Sequence, residues 1–203
     1  MSDPLDVLAS GVHDAKNQLF FAETLLAARE TATGLDLGEA RYAIEAAALR
    51  LSRTLTAYRL MRQDAQLAIV PCILDDLCAE VALAQAKHLR AIGLELTVDC
   101  QVTDPWPLDR DLISDMLNNA VQNAARFARR QIRLSALTDD SGLVLKVEDD
   151  GPGFATLPPA SGTGLLVAGR LAALHIRHEL SGQLHLDNDS RLGGARFALH
   201  LPR

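Results

Sequence analysis

Two long stretches near the N-terminus repeat apolar residues every seven positions, one over residues 3–30 and one over residues 37–66. A seven-residue spacing is typical of helices that pack side by side, and Gly34 interrupts the pattern between them. The pattern therefore predicts a helical hairpin over residues 1–67. Its two seams are Leu5, Val12, Leu19 and Leu26 in the first helix and Leu37, Ile44, Leu51 and Tyr58 in the second.

Two helices with such seams leave apolar flanks uncovered. Pairing two hairpins from two chains would bury these flanks in a four-helix bundle. We therefore expect a homodimer. The alternative is that the hairpin folds back on the rest of its own chain.

The pattern changes at Pro71, and from there short alternating segments and amphipathic segments take turns. Alternation predicts strands, and a 3.6-residue period predicts helices. The predicted helices are 72–91, 108–128 and 165–178, and the predicted strands are 94–99, 132–137, 143–147, 183–188 and 195–201. This order indicates an α/β sandwich over residues 68–203, with helices on one face of an antiparallel or mixed sheet. The whole chain is therefore expected to be of the α+β class.

Composition narrows the choice of function. The net charge is −6, which argues against a nucleic-acid partner, and the one basic cluster is Arg126, Arg129, Arg130 and Arg133. No apolar run approaches the ~18–20 residues that a membrane span needs, and the N-terminus lacks a signal-peptide pattern. We expect a cytoplasmic protein without a membrane span.

The predicted helix 108–128 carries candidate ligands for a metal and for phosphates. Asn119, Asn123 and Arg126 are spaced i, i+4 and i+7, so they share one helix face. An amide oxygen suits Mg²⁺, which otherwise keeps waters and substrate phosphates as ligands. The alternative is a polar stripe facing solvent. The residues expected to face inward are Leu112, Met116, Val121 and Phe127.

The next candidate segment is Asp149-Asp150-Gly151-Pro152-Gly153, directly after a predicted strand. A buried carboxylate at Asp149 would accept a hydrogen bond from an exocyclic amine such as that of adenine. Gly151 and Gly153 would allow a sharp turn and a close approach of the backbone to a base. The alternative is an ordinary Asp-Gly turn.

Small residues precede the predicted helix 165–178. Gly162, Thr163 and Gly164 place free backbone amides at its start, an arrangement that binds phosphate. Gly193 and Gly194, before the last predicted strand, are interpreted as a plain turn.

In this order, the motifs resemble the ATP-binding domain of two-component histidine kinases, part of the superfamily shared with gyrase-type ATPases and Hsp90 chaperones. The resemblance covers residues 69–203. It implies ATP and Mg²⁺ as cofactors, and its hydrolysing members carry a glutamate at the position of Asn119, which favours transfer to a residue over hydrolysis. The implied site residues are Asn119 and Asn123 (the metal ligand), Arg126 for phosphate, Asp149 for adenine, and Gly162 and Gly164 of a glycine box.

The N-terminal segment Gly11–Leu19 resembles the phosphoacceptor box of the same kinases. His13 follows the seam residue Val12, so it should lie at the edge of the bundle. The resemblance implies that His13 accepts the phosphoryl group and that Asn17 supports dephosphorylation of a partner. Asp14 can accept the imidazole proton.

The resemblance implies a kinase core that autophosphorylates His13 from Mg-ATP and passes the phosphoryl group to an aspartate of a response-regulator receiver domain. The input is expected from a separate sensor or input protein, or from something that the core binds directly. The alternative is a histidine phosphotransfer protein, or a regulator phosphatase, with a degenerate ATP-binding domain. It is motivated by Leu166, which stands where a glycine is usual, and by the short loop 154–164.

Overall fold

The computed structural model of this chain describes residues 4–61, 66–157 and 163–203. The chain divides into two compact units, of which one ends at residue 65 and the other begins at Gln66. Among the residues described, no helix has both the length and the apolar character that crossing a bilayer requires.

The first unit is a helical hairpin of α1 (Pro4–Thr33) and α2 (Gly38–Met61), which pack along each other. The turn begins at Gly34, whose φ of +68° is a conformation that glycine adopts without strain. Arg41 of α2 forms ion pairs of 2.7 Å with Glu23 and 2.9 Å with Glu30 of α1. The predicted helical hairpin is thus confirmed, although residues 62–65 at the predicted end of the second helix lie outside the described residues.

The second unit is built on a five-stranded sheet, in the order β2-β4-β5-β9-β8. Its strands are β2 (Glu95–Cys100), β4 (Gln131–Asp139), β5 (Gly142–Asp149), β8 (Gln183–Asp187) and β9 (Arg196–Pro202). Only β2 and β4 run parallel, and all other neighbours are antiparallel. The helices α3 (Leu74–Ala91), α4 (Arg110–Ala125) and α5 (Thr163–Ala172) form one layer with α4 in the middle. The predicted α+β class and mixed sheet are confirmed.

The register of the sheet separates an apolar face from a charged one. Leu134, Val147 and Phe197 lie side by side on adjacent strands and are all buried. One residue along, the corresponding row across the sheet contains charged side chains: Arg133, Glu148, Arg196 and Asp187. Side chains alternate between faces along a strand, so Asp149 shares its face with Val147, on the apolar side that the helices cover.

Both α3 and α4 begin two residues later than predicted, at Leu74 rather than 72 and at Arg110 rather than 108. The side chain of Asp109 accepts a hydrogen bond of 3.0 Å from the backbone N–H of Leu112, so Asp109 is the N-cap. Before it, β3 (Trp106–Asp109) pairs with β1 (Ile69–Cys72). Neither strand was predicted, because each has four residues and contains a proline, Pro71 or Pro107, which weakens a strand pattern.

The helix α5 ends at Ala172, not at residue 178 as predicted. The following residues form a small hairpin of β6 (Ile176–Arg177) and β7 (Leu180–Ser181). Its turn residues His178 and Glu179 have φ values of 48° and 66°, which suits a tight hairpin turn. The turn carries no glycine or asparagine, so the usual sequence signal is missing.

Candidate functional site

Asp149 lies at the end of β5 and only 3% of its surface is exposed. Its Oδ1 accepts hydrogen bonds from the backbone N–H of Gly151 at 2.8 Å and of Ala195 at 3.2 Å. Its Oδ2 accepts none from any described residue. Burial raises the pKa of Asp149, while the two N–H donors act in the opposite direction. The described residues therefore leave one buried carboxylate oxygen open to a donor from a ligand.

Two glycines pack directly against this carboxylate. A Cβ on Gly151 would lie 2.6 Å from the carbonyl oxygen of Phe127, and a Cβ on Gly194 would lie 2.5 Å from the carbonyl oxygen of Asp149 and 2.6 Å from the nitrogen of Gly151. Gly194 also donates its N–H to the Asp149 carbonyl at 3.0 Å. The interpretation of Gly194 as a plain turn was therefore incomplete, because this glycine forms part of the wall around Asp149.

Gly153 follows the same turn with a φ of +78°. It lies against the side chain of Asn188, whose amide bonds to the backbone of Phe154 at 2.7 and 3.0 Å. Neither Asn188 nor Ser190, which donates its hydroxyl to the Asp149 carbonyl at 2.9 Å, was identified from the sequence. Short polar residues in a connection between strands carry no signal beyond a turn.

The predicted amide face lies on α4. Asn119 is buried with 8% of its surface exposed, Asn123 is half-buried, and Arg126 is exposed as the C-cap of the helix. None of the three side chains has a hydrogen bond or ion pair with another described residue. The neighbouring Asn118 differs, because its Oδ1 accepts a bond of 2.7 Å from Gln85 of α3. The two asparagines of the predicted ligand face are thus left without a hydrogen bond among the described residues, whereas Asn118 is held within the fold.

The prediction that residues of α4 face inward is confirmed for Leu112, Met116 and Val121, which are buried. It is wrong for Phe127, which is 61% exposed. The helix ends at Ala125, so the helical period no longer sets the direction of Phe127. Its carbonyl oxygen is in contact with Gly151, which puts an exposed aromatic residue beside the Asp149 turn.

Asp150 connects the end of α4 to the end of β5. Its carboxylate accepts hydrogen bonds from the backbone N–H of Arg129 at 2.7 Å and of Arg130 at 3.1 Å. Burial raises its pKa, but these backbone donors outweigh that effect and the pKa of Asp150 is lowered. The four arginines of the predicted basic cluster differ in their partners. Arg133 forms an ion pair with Asp99. No ion pair with a described residue is formed by Arg126, Arg129 or Arg130.

The glycine segment is only partly described. Gly162 lies outside the described residues, and Thr163 and Gly164 form the first turn of α5, the side chain of Thr163 being outside the description. In the hairpin, His13 lies within α1, but its side chain is likewise not among those described. Asp14 and Asn17 are exposed on α1.

The structure thus brings together the turn 149–153, the end of α4 and the connection 188–195. A free buried carboxylate oxygen, unpaired amides and an exposed aromatic ring fit a ligand with a donor-bearing ring and an anionic, metal-binding tail. A separate cavity of about 160 Å³ contains none of the predicted site residues. Its lining is Gln101, Val102, Thr103, Asp104, Trp106, Thr138, Asp139 and Arg203.

Comparison with known proteins identifies relatives of this arrangement. Residues 108–203 match the family described as histidine kinase-, DNA gyrase B-, and HSP90-like ATPase. The chain is 30% identical to the sensor protein kinase CarS of Pseudomonas aeruginosa, over 94% of this chain and 44% of CarS. The chain spans less than half the length of these curated relatives: 44% of CarS, 34% of the two-component sensor PhoQ of Pseudomonas aeruginosa and 40% of the histidine kinase PhoQ of Salmonella typhimurium.

Two solved structures show the same fold. The histidine kinase AdeS of Acinetobacter baumannii superposes with a TM-score of 0.66 at 19% identity, covering 92% of this chain and 95% of the AdeS chain. The ATP binding domain of PrrB from Mycobacterium tuberculosis superposes with a TM-score of 0.54 at 25% identity, covering 66% of this chain and 97% of the PrrB chain. The predicted resemblance in fold is confirmed.

Proposed function

Because this chain resembles the core of two-component histidine kinases along nearly its whole length, we propose that it transfers the γ-phosphoryl group of ATP to His13 and then to an aspartate of a response-regulator receiver domain. The observation that carries this proposal is the free Oδ2 of the buried Asp149. A buried carboxylate oxygen without a donor costs free energy unless a ligand supplies one.

The base of the nucleotide is proposed to bind at Asp149. The Oδ2 would accept a hydrogen bond from the exocyclic amine of adenine, and Gly151 and Gly153 would let the backbone approach the ring. The backbone carbonyl of Phe127 contacts Gly151 of this turn and its side chain is exposed, so we propose that its ring stacks on the base. Guanine presents a carbonyl oxygen where adenine has its amine, so this site favours adenine.

The triphosphate is proposed to extend along α4. Asn123 would supply an amide oxygen to Mg²⁺, with Asn119 beside it and Arg126 neutralising phosphate charge. Bound Mg²⁺ supplies further charge neutralisation at the phosphates. The backbone amides of Gly162, Thr163 and Gly164 would bind phosphate oxygens at the start of α5. Asn119 has no carboxylate to activate water, which favours transfer to a side chain over hydrolysis.

His13 is proposed as the acceptor. Its imidazole nitrogen would form a bond to the γ-phosphorus as the bond to the bridging oxygen of ADP breaks. The imidazole proton would pass to Asp14, and Asn17 would orient water when the partner is dephosphorylated. The hairpin is proposed to pair with a second copy in a homodimeric four-helix bundle, and the chain is proposed to act in the cytoplasm.

The second candidate is a phosphotransfer protein or regulator phosphatase that keeps His13, Asp14 and Asn17 but does not use ATP. Two features favour it. Leu166 replaces a small residue after the glycine segment, and Ala195 offers only its backbone N–H to the Asp149 site. In this case phosphate would reach His13 from another phosphorylated protein.

One labelling experiment separates the two candidates. The purified chain is incubated with γ-labelled ATP and Mg²⁺, and acid-labile label is expected on the wild type and on His178→Ala but not on His13→Ala. His178 is a matched control because it is an exposed histidine in a surface turn. Label that appears only after a phosphorylated partner protein is added would support the phosphotransfer protein, and label retained in His13→Ala would contradict both candidates.

A further inference from the structure

Asn188 lies directly after β8 and bonds to both backbone groups of one residue, Phe154. Its Oδ1 accepts the N–H of Phe154 at 2.7 Å, and its Nδ2 donates to the carbonyl oxygen of Phe154 at 3.0 Å. This is the pair of bonds that two opposed residues exchange in an antiparallel ladder. The side chain of Asn188 therefore replaces a strand neighbour for Phe154.

There is no room for a side chain between this amide and Gly153, the residue before Phe154. A Cβ on Gly153 would lie 2.7 Å from Oδ1 and 2.8 Å from Cγ of Asn188. The φ of Gly153, +78°, is also one that other residues rarely adopt. The backbone of Gly153 is thus pressed against the amide, which fixes the course of the chain two residues after Gly151.

The connection that begins with Asn188 also holds the other end of the same turn. Ser190 donates its hydroxyl to the carbonyl of Asp149 at 2.9 Å, and Ala195 donates its N–H to Oδ1 of Asp149 at 3.2 Å. One connection therefore binds the turn 149–154 at its start and at its end. Of all these bonds, the two from Asn188 are the only ones among the described residues that reach the far end.

We infer that Asn188 is a positioning residue of the nucleotide site: it holds Gly153 and Phe154 so that the turn presents the free oxygen of Asp149 in one place. Asn188 does this through the backbone of the turn, without contacting the nucleotide itself. This inference rests on the proposed function, since it concerns the same site.

The first test compares the affinity of the full chain for ADP in the presence of Mg²⁺, measured by calorimetry. Asn188→Ala removes both bonds and is expected to weaken ADP binding about tenfold, as two ordinary hydrogen bonds would. Gln183→Ala on β8 is the matched control, because its side chain contacts His185 rather than the turn, and it should bind ADP like the wild type. Thermal melting of each variant shows whether it is folded.

The second test uses Asn188→Asp and has an outcome that a merely structural role would not give. At neutral pH the carboxylate accepts the N–H of Phe154 but has no proton for its carbonyl, so ADP binding is weak. As the pH falls, the protonated carboxyl regains the donor and acceptor of the amide. The affinity relative to the wild type at the same pH should then recover in Asn188→Asp but not in Asn188→Ala.

The outcomes separate this inference from the function on which it rests. If the wild type does not bind ADP, the proposed function fails and the inference fails with it. If the wild type binds ADP but Asn188→Ala changes the affinity by less than about twofold, or Asn188→Asp does not recover at low pH, the inference alone is overturned. An Asn188→Ala variant that does not fold leaves the pH dependence of Asn188→Asp to decide.

Discussion

The helical hairpin and the sheet unit cover their apolar side chains to different extents. Leu134, Leu145 and Leu199 of the sheet are fully buried. In the hairpin none of the side chains that the structure describes is buried, and the seam residues Leu19 and Ile44 are only half-covered. The sheet unit therefore has a complete core within one chain, whereas the hairpin presents a seam that a second pair of helices would complete.

The same contrast appears among polar groups within the sheet unit. Asn118 is bonded to Gln85, whereas Asn119 and Asn123 have no hydrogen bond with another described residue, and Asp149 uses only one of its two oxygens. Groups that are completed within the chain hold the fold. Groups that are left incomplete are where we propose that a second molecule binds.

The largest expected effect compares one leucine from each unit. Leu145→Ala leaves a cavity in a closed core and should lower the free energy of unfolding by about 2–5 kcal/mol, independent of protein concentration. Leu19→Ala should instead lower stability in a concentration-dependent way, because the seam is completed by association. Chemical denaturation at two protein concentrations measures both, with sedimentation to give the mass.

A concentration-independent loss for Leu19→Ala would contradict the dimer. The seam would then be closed from within the chain, as in the alternative that the hairpin folds back. If Leu145→Ala and Leu19→Ala lose equal stability with the same dependence on protein concentration, the two units do not differ in how their cores are completed.

The next effect concerns the incomplete carboxylate. Asp149→Asn places an N–H where the ligand amine must donate, so ADP affinity should fall about 10- to 100-fold. The same variant should be more stable than the wild type at neutral pH. Burial raises the folded-state pKa of Asp149, so its contribution to stability is full below the unfolded pKa and is lost as the pH rises through the folded pKa.

Calorimetry and thermal melting from acid to neutral pH check both parts of this prediction. Asp139→Asn is the control with the opposite sign, because hydrogen bonds from Ser141 lower the pKa of Asp139. The stability that the Asp139 carboxylate contributes is present above its unfolded-state pKa and is lost as the pH falls through its folded-state pKa. Removing the carboxylate should therefore lower stability at neutral pH. A loss of stability at neutral pH in Asp149→Asn would show that the carboxylate is structural.

The elements that periodicity controls were the predictable ones. The hairpin seams, the buried side of α4 and the strand before Asp149 all follow a repeat that can be read from the sequence. Phe127 was wrongly placed because it lies two residues beyond the last helical residue, Ala125, where the period no longer applies. The strands β1 and β3 depend on pairing between residues far apart in sequence.

The residues of the candidate site also fall into those that the sequence predicts and those that only the structure identifies. Asn119, Asn123 and Asp149 were identified from residue type and spacing, and their roles stay predictions. The contacts of Gly194 and Asn188 with the turn could not be identified, because each joins residues more than thirty positions apart. Such contacts arise from tertiary packing and leave no local pattern.

A smaller effect compares two glycines that differ in the space around them. Gly194→Ala puts a methyl group against the carbonyl of Asp149 and the nitrogen of Gly151, and should cost about 1–3 kcal/mol and weaken ADP binding. Gly169→Ala in α5 meets its nearest atom at 3.9 Å and should be neutral or gain up to about 1 kcal/mol. Thermal melting compares the stability of the two variants. If both change stability equally, the backbone around Asp149 accommodates the added methyl group without strain.

The smallest effect compares neighbouring asparagines of α4, and it tests most directly whether incomplete groups serve a ligand. Asn118→Ala breaks the bond to Gln85 and should cost about 1–2 kcal/mol of stability with little change in the affinity for Mg-ATP. Asn123→Ala breaks no bond within the described chain, so stability should stay within about 0.5 kcal/mol. Its Mg-ATP affinity should fall severalfold, and the fall should vanish when EDTA removes Mg²⁺, because only the metal contact is lost. If the deficit persists without the metal, Asn123 contacts the nucleotide directly; if Asn123→Ala destabilises the fold as much as Asn118→Ala does, the distinction between completed and incomplete groups fails on this helix.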